Sequence, residues 1–157
     1  MITASNPHLE VAAIKHGTVI DHIGDKNALK IIQLLHLASG GTMVTVGLNL
    51  PSKKMGSKDL IKISGREIEL EEANRIALFS PEASINIIRN FKIVKKFAVT
   101  LPKTIANLLM CPNPKCITNH EPMTTVFTVV HDTTRIQLVC IYCEKLFERD
   151  ELQVYPT

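Results

Sequence analysis

The sequence of 157 residues contains no tryptophan, and aromatic residues make up only 4% of it. Few side chains are therefore available for bases to stack on, which weighs against an RNA-binding surface. Long apolar runs are also missing. A membrane-spanning helix takes about 20 consecutive apolar residues, and the runs here are only a few residues long. The first ten residues, MITASNPHLE, lack the basic start and apolar stretch of a secretory signal, so a cytoplasmic location is expected. Neither sign of charge dominates, since eighteen Lys and Arg against fifteen Asp and Glu leave only +3. That excess is a weak pointer to a nucleic-acid partner. What is present suits a folded chain: 45% apolar and 21% charged residues exclude a disordered or low-complexity protein. The length allows one ordinary domain or two small ones.

Cysteine is absent from the first 110 residues, and all four cysteines fall between 111 and 143. Prolines are few, yet Pro112, Pro114 and Pro122 crowd around the first pair of cysteines. This asymmetry predicts two domains, residues 1–100 without cysteine and residues 101–157 built around it. The seam is expected near Thr100-Leu101-Pro102, where proline removes a backbone donor and keeps Leu101 out of helix.

In the first domain, residues 10–20 read as a strand ending in a turn-like cluster, Asp21-His22-Ile23-Gly24. Asp25 offers a helix N-cap, and the apolar spacing from Ala28 to Ala38 predicts a helix stopped by Gly40-Gly41. Thr42 to Leu48 reads as a second strand, Asn49 to Ser57 as a loop, and Asp59 to Ser64 as a third strand. A second helix is expected over Glu69 to Phe79, with acidic residues near the positive end of its dipole. The fourth strand is expected over Ser84 to Val94, with Ile85, Ile87, Phe91 and Ile93 on one alternating face. The order β-α-β-β-α-β predicts a ferredoxin-like α+β domain, an antiparallel sheet with both helices on one face. Such a fold by itself says little about function.

Charge is placed unevenly along this domain. From Arg89 to Lys103 run five basic residues, Arg89, Lys92, Lys95, Lys96 and Lys103, and no acidic one. Alone, such a run reads as a solvated strand end. Lys58 and Lys62, however, fall in or beside a strand of the same expected sheet, and Asp21-His22 closes another. A carboxylate that accepts from a hydroxyl, set among lysines, suits a ribose carrying phosphates. No glycine-rich phosphate loop is present, so nucleotide hydrolysis and dinucleotide redox chemistry are not indicated.

In the second domain, Cys111 and Cys116 are separated by four residues, Cys140 and Cys143 by two, and the pairs by 23. Two close pairs can bring four thiolates to one tetrahedral Zn(II), each about 2.3 Å from the metal. Disulfides and a redox-active Cys140-Ile-Tyr-Cys143 are the alternatives; the expected compartment disfavours the first, and a thioredoxin-like context is missing for the second. Four thiolates fill the coordination sphere, so the metal is structural. His120 reads as a loop histidine. His131 reads as part of the turn joining Thr125–Val130 to Arg135–Val139 in a hairpin. A small antiparallel-β zinc domain follows, too small to persist without its metal. A zinc-ribbon-type nucleic-acid-binding protein is the competing reading. Against it, Arg135 is the only Lys or Arg between Met123 and Val139.

Several strings are specific. Gly17-Thr-Val-Ile-Asp-His22, Val46-Gly-Leu-Asn-Leu-Pro-Ser52, Lys58-Asp-Leu-Ile-Lys-Ile63, Cys111-Pro-Asn…Cys116-Ile and Cys140-x-Tyr-Cys-Glu144 occur in order between about Leu9 and Phe147. Together they resemble the regulatory chains of aspartate carbamoyltransferase. The resemblance implies a non-catalytic subunit with a nucleotide-binding allosteric domain and a zinc domain. It also implies self-dimers formed through the first domain and zinc domains docked on catalytic chains, so that three regulatory dimers bridge two catalytic trimers. CTP, often with UTP, is then expected to favour the low-activity state and ATP the high-activity state. Each effector acts only through its different affinity for the two states.

Carried over by motif, Asp21 and Lys62 resemble the ribose contacts, and His22 and Lys96 the phosphate contacts. Ile14, Asn86, Ile88, Phe91 and Ile93 resemble the lining around base and ribose. Lys58 is similar to a family lysine near the phosphates or a second nucleotide. The metal ligands fall on Cys111, Cys116, Cys140 and Cys143. For Ile14, Ile88 and Ile93 the residue types alone would suggest core packing. The chain departs from the best-known members at Ala12, where they have an acidic residue, and at Phe91, where they have Tyr. It departs again at Phe97-Ala98-Val99. These changes bear on selectivity among CTP, UTP and ATP rather than on the phosphate and ribose contacts.

Overall fold

The computed structural model describes residues 13–132 and 135–156. The start of the first expected strand, Ala12, residues 1–10 and the tip of the second-domain hairpin at 133–134 lie outside them. Among the described residues no helix is long and apolar enough to cross a membrane.

Five strands build the first sheet: β1 (Gly17–Ile23), β2 (Val44–Ser52), β3 (Gly56–Ser64), β4 (Ser84–Arg89) and β5 (Lys92–Ala98), in the order β2-β3-β1-β4-β5. Every pairing is antiparallel. Two helices, α1 (Ala28–Leu34) and α2 (Leu70–Ile76), complete the domain. Ile31, Leu34, Ala73 and Ile76 from the helices share one core with Ile20, Ile61, Ile63, Ile85 and Ile87 from the sheet. Period-2 alternation sends the other set of strand residues to the opposite face. The ferredoxin-like α+β arrangement is therefore present, extended by a fifth strand.

That extension corrects the expected strand over 84–94. Asn90 and Phe91 both take positive φ, 51° and 64°, and turn the chain back so that β5 pairs with β4. Ile85 and Ile87 face the helices as expected, but Phe91 lies in the turn and Ile93 pairs with Ile88 on the far face. Three of the five basic residues, Lys92, Lys95 and Lys96, thereby fall on an edge strand.

Two further corrections have one cause. Asp21, His22 and Ile23 of the turn-like cluster still belong to β1, which ends only before Gly24, and the expected loop over 49–57 is largely strand. In both places the register shifts, with His22 at φ 57° and Asn49 at φ 57°. Turn-prone residues here mark β-bulges, which re-aim side chains without breaking the sheet. The Asn49 N–H donates to Oδ1 of Asp59 at 3.0 Å, and Asp59 is 1% exposed. Gly17 opens β1 at φ 140°, where a Cβ would collide with the Ile63 carbonyl oxygen; only glycine lets β1 and β3 approach so closely.

Both helices are shorter than their apolar patterns suggest. His36 turns left-handed at φ 53° and ends the first run, although Leu35 and Leu37 stay buried beyond it. Asp25 does not cap α1; Asn27 occupies that position, and Asp25 accepts from the Ser57 hydroxyl at 2.7 Å.

Beyond residue 103 the chain forms a four-stranded sheet, β10-β9-β8-β6, from β6 (Thr104–Ala106), β8 (Val126–His131), β9 (Ile136–Cys140) and β10 (Leu146–Glu148). Strand β7 (Leu109–Met110) pairs separately with β11 (Gln153–Val154). The hairpin expected from residues 125–139 is β8 with β9. Apolar residues of this part, among them Leu108, Leu109, Phe127, Leu138 and Val154, join the same buried cluster as the first domain.

Candidate functional sites

Residues paired directly across strands share a face. Lys96 pairs with Asn86, Asn86 with Val19, Val19 with Lys62, and Lys62 with Thr45. One row running across all five strands thus carries two lysines and an amide on the face away from the helices. The row above it pairs Asp21 with Ser84, and the row below pairs Gly17 with Ile88 and Ile88 with Ile93. Polar groups are concentrated at one end of this face and apolar ones at the other.

At the polar end, Lys58 Nζ lies 2.7 Å from Asp21 Oδ1, and both side chains are four-fifths buried. The bulge backbone contributes as well, since the His22 N–H donates to Asp21 Oδ1 at 2.7 Å. Burial pushes the Asp21 carboxyl up, but Lys58 and the His22 amide outweigh it and hold the group below its ordinary value. His22 Nδ1 is 3.3 Å from the Ser84 hydroxyl. Ser84 was not singled out from sequence, because its membership of the site follows from the β1–β4 register alone.

In the central row Lys62 is only 8% exposed. Burial drives its ammonium pKa down, with Asp21 opposing. Asn86 is 6% exposed, and its Oδ1 has no hydrogen-bond partner. An orphaned buried carbonyl oxygen is an acceptor awaiting a donor. At the apolar end Ile88 is buried and Ile93 and Phe91 are largely exposed, while Ile14, half-buried, precedes β1 and belongs to none of the paired rows. Ile93 is therefore not core, contrary to what its residue type suggests. Phe91, a bulky residue at φ 64° with its ring exposed, carries backbone strain that packing does not explain. The structure brings Asp21, His22, Lys58, Lys62, Asn86, Ile88, Ile93 and Lys96 to one face, with Phe91 at the turn joining two of its strands.

The second site is more compact. The four Sγ atoms of Cys111, Cys116, Cys140 and Cys143 all lie within 4.8 Å of one another. Cys111–Cys143 and Cys116–Cys140 are each 3.8 Å apart. A disulfide needs about 2 Å. The edge of a tetrahedron with 2.3 Å metal–sulfur bonds is about 3.8 Å, so the donor set fits a four-thiolate metal centre and excludes disulfides. Around it, Asn119 Nδ2 donates to the carbonyls of Cys111 and Asn113 at 3.0 and 2.7 Å. His120 Nε2 pairs with the Pro114 carbonyl at 2.8 Å, so it braces the loop. The buried Thr118 hydroxyl sits 3.2 Å from Cys116 Sγ. Burial works against the Cys116 thiolate, but the Thr118 hydroxyl and amide bring its pKa down to about 7, while burial pushes Cys111 and Cys140 up. Thr118 was missed in the sequence; its position two residues after a ligand was the available signal.

The basic run is divided. Lys103 lies beside β8, its carbonyl accepting from Val129 N at 2.9 Å, whereas Lys92, Lys95 and Lys96 are on β5 and Arg89 is bound by both carboxylate oxygens of Glu67. Arg135 of the hairpin is engaged by Glu148 and Asp132. Among the described residues the basic side chains named here are thus split between β5, the Glu67 pair and the hairpin.

Comparison with known proteins matches both parts of the chain. The family model described as aspartate carbamoyltransferase regulatory chain, allosteric domain, matches residues 9–100. The model for the metal binding domain of that chain matches residues 103–153. The protein belongs to this family. Among curated relatives named aspartate carbamoyltransferase regulatory chain, that of Pyrococcus horikoshii is 47% identical over 148 residues, covering 93% of this chain and 97% of its own length. The relative from Chromobacterium violaceum is 49% identical over 143 residues, 89% and 92% of the two chains. That from Vibrio cholerae is 46% identical over 142 residues, 90% and 92%. As a regulatory chain, the protein is a non-catalytic subunit with an allosteric domain and a four-cysteine metal-binding domain.

Proposed function

We propose that the open face of the five-stranded sheet binds a nucleoside triphosphate effector of aspartate carbamoyltransferase. The observation that carries this reading is the row Lys96–Asn86–Val19–Lys62 below Asp21, in which a cation and an unpartnered amide oxygen are buried on a sheet face that the helices do not cover. Asp21 and Lys62 hold the ribose, His22 and Lys96 the phosphates, and Lys58 sets the orientation of Asp21 while facing the phosphate tail. Asn86 Oδ1 receives a donor from the base or ribose. Ile14, Ile88, Phe91 and Ile93 enclose the apolar part of the nucleoside. CTP, UTP and ATP compete for this face, with CTP and UTP favouring the less active assembly and ATP the more active one.

The metal in our reading is zinc, held by Cys111, Cys116, Cys140 and Cys143, and its role is to pin the second domain. With the seam at residues 100–101, the zinc domain docks on the catalytic chain and the first domain pairs with a second copy. Three such dimers then bridge two catalytic trimers in the cytoplasm. Carbamoyl transfer to aspartate takes place on the partner.

Calorimetric titration of CTP and then ATP into the metal-loaded chain tests the reading. Competitive binding in the micromolar range, about −8 kcal/mol, is expected. Absence of binding by either nucleotide would falsify the assignment of this face and leave an assembly subunit without an effector site.

A further inference from the structure

Arg149 spans the two domains. It belongs to a short 3₁₀ turn, Arg149–Glu151, whose frame is fixed by reciprocal side-chain to backbone hydrogen bonds of Glu148 and Glu151. From there its Nη1 donates to the Leu78 carbonyl at 3.0 Å. Leu78 lies just past the end of α2, where carbonyls have lost their intrahelical donors and the helix dipole is negative. A guanidinium from the metal domain thus caps a helix of the allosteric domain. Its neighbour Asp150 is 3.9 Å from Lys30 of α1, and Lys30 in turn lies 5.4 Å from the centroid of the Phe79 ring.

The segment from α2 to β4 is held from three sides. Asn74 Oδ1 accepts the Thr100 N–H of the seam at 3.0 Å. The Ser80 hydroxyl accepts the Gly24 N–H at 3.0 Å, just past the end of β1. Ser84, at the start of β4, meets His22. Residues 74–84 therefore touch the polar end of the open sheet face, the seam and the metal domain. A shift of β1 or β4 on ligand binding reaches the Leu78 carbonyl through a few bonded residues.

We propose that Arg149 is the positioning residue that makes the metal domain sense the allosteric domain, by tying the α2–β4 segment to the turn at 149–151. This rests on the reading of the sheet face as the nucleotide site. The competing view is that the shared apolar seam transmits the change unaided and that Arg149 adds only stability.

Hydrogen exchange of the full metal-loaded chain, with and without saturating CTP, separates the two. In the unaltered protein CTP should slow exchange in β1 and β4 and, by about threefold or more, at Leu109–Met110 and Arg149–Val154. In Arg149→Ala the CTP affinity should stay within about twofold while the slowing stops at residue 98. Arg149→Lys, which keeps a donor and a charge, should restore part of it. Full slowing of the metal domain in Arg149→Ala overturns the proposal. If the unaltered chain fails to bind CTP, the nucleotide reading fails separately, and denaturant unfolding then judges the tie. Loss of protection in both sheets together in the unaltered chain, but in two steps in Arg149→Ala, supports it; a single shared step in both proteins overturns it.

Discussion

The two candidate sites of this regulatory chain are built in opposite ways. The four cysteines converge from two short segments, all within 4.8 Å, and a single ion would satisfy all four thiolates at once. The sheet face draws on four strands from residue 19 to residue 96, and although Lys58 pairs with Asp21, its polar groups are not all satisfied from within. Lys62 is buried against the preference of an ammonium group, Asn86 Oδ1 has no partner, and Phe91 sits in a left-handed turn. The difference teaches what each site is for. A permanent structural ligand lets its site close on itself, whereas a site that exchanges its ligand must hold groups in readiness at some loss of stability.

Three changes would break or sharpen this contrast, beginning with the strongest. Removing the metal, by chelation or by Cys140→Ser, should unfold the strands after residue 103, since binding energies of roughly 10 kcal/mol or more stabilise four-thiolate domains. Hydrogen exchange should show β1, β3 and β4 still protected, and native gels should show loss of the catalytic trimer. Assembly that persists on a fully metal-free chain would remove the docking role assigned to this module.

Lys62→Met comes next. It replaces a buried cation by an apolar chain of similar length, so thermal unfolding should move upward while triphosphate affinity falls about 10- to 100-fold. A variant that is less stable and binds normally would make Lys62 a structural residue, and the contrast would lose its main support. The smallest effect is expected for Phe91→Gly. Glycine adopts the turn without strain, so stability should rise by about 1 kcal/mol, with nucleotide affinity falling several-fold as an apolar wall is lost. If affinity is unchanged, the exposed ring plays no part in binding.

Much of this was legible along the chain because it is local. The spacing of the cysteines fixes a four-thiolate centre whatever the rest does, and the alternation in Ile61-Lys62-Ile63 and Ile85-Asn86-Ile87 already assigns lysine and amide to the face opposite the core. The errors were local signals with more than one physical meaning. His22 and Asn49 advertise turns but sit in bulges, and Asn90-Phe91 makes a tight turn without the glycine that normally announces one.

By itself, then, the sequence determined the four-cysteine cluster, the split of the chain into two parts, the inward side of Ile85 and Ile87 and, through its motifs, the family. Register was left to the tertiary structure. Only the pairing of β4 with both β1 and β5 puts Asn86 between Val19 and Lys96 and Ser84 beside Asp21, and only packing brings Arg149 to Leu78. The β1–β4 and Arg149–Leu78 contacts join residues 63 to 71 positions apart. No local pattern encodes such distances; they are settled by which arrangement buries the most apolar surface while leaving each backbone group paired.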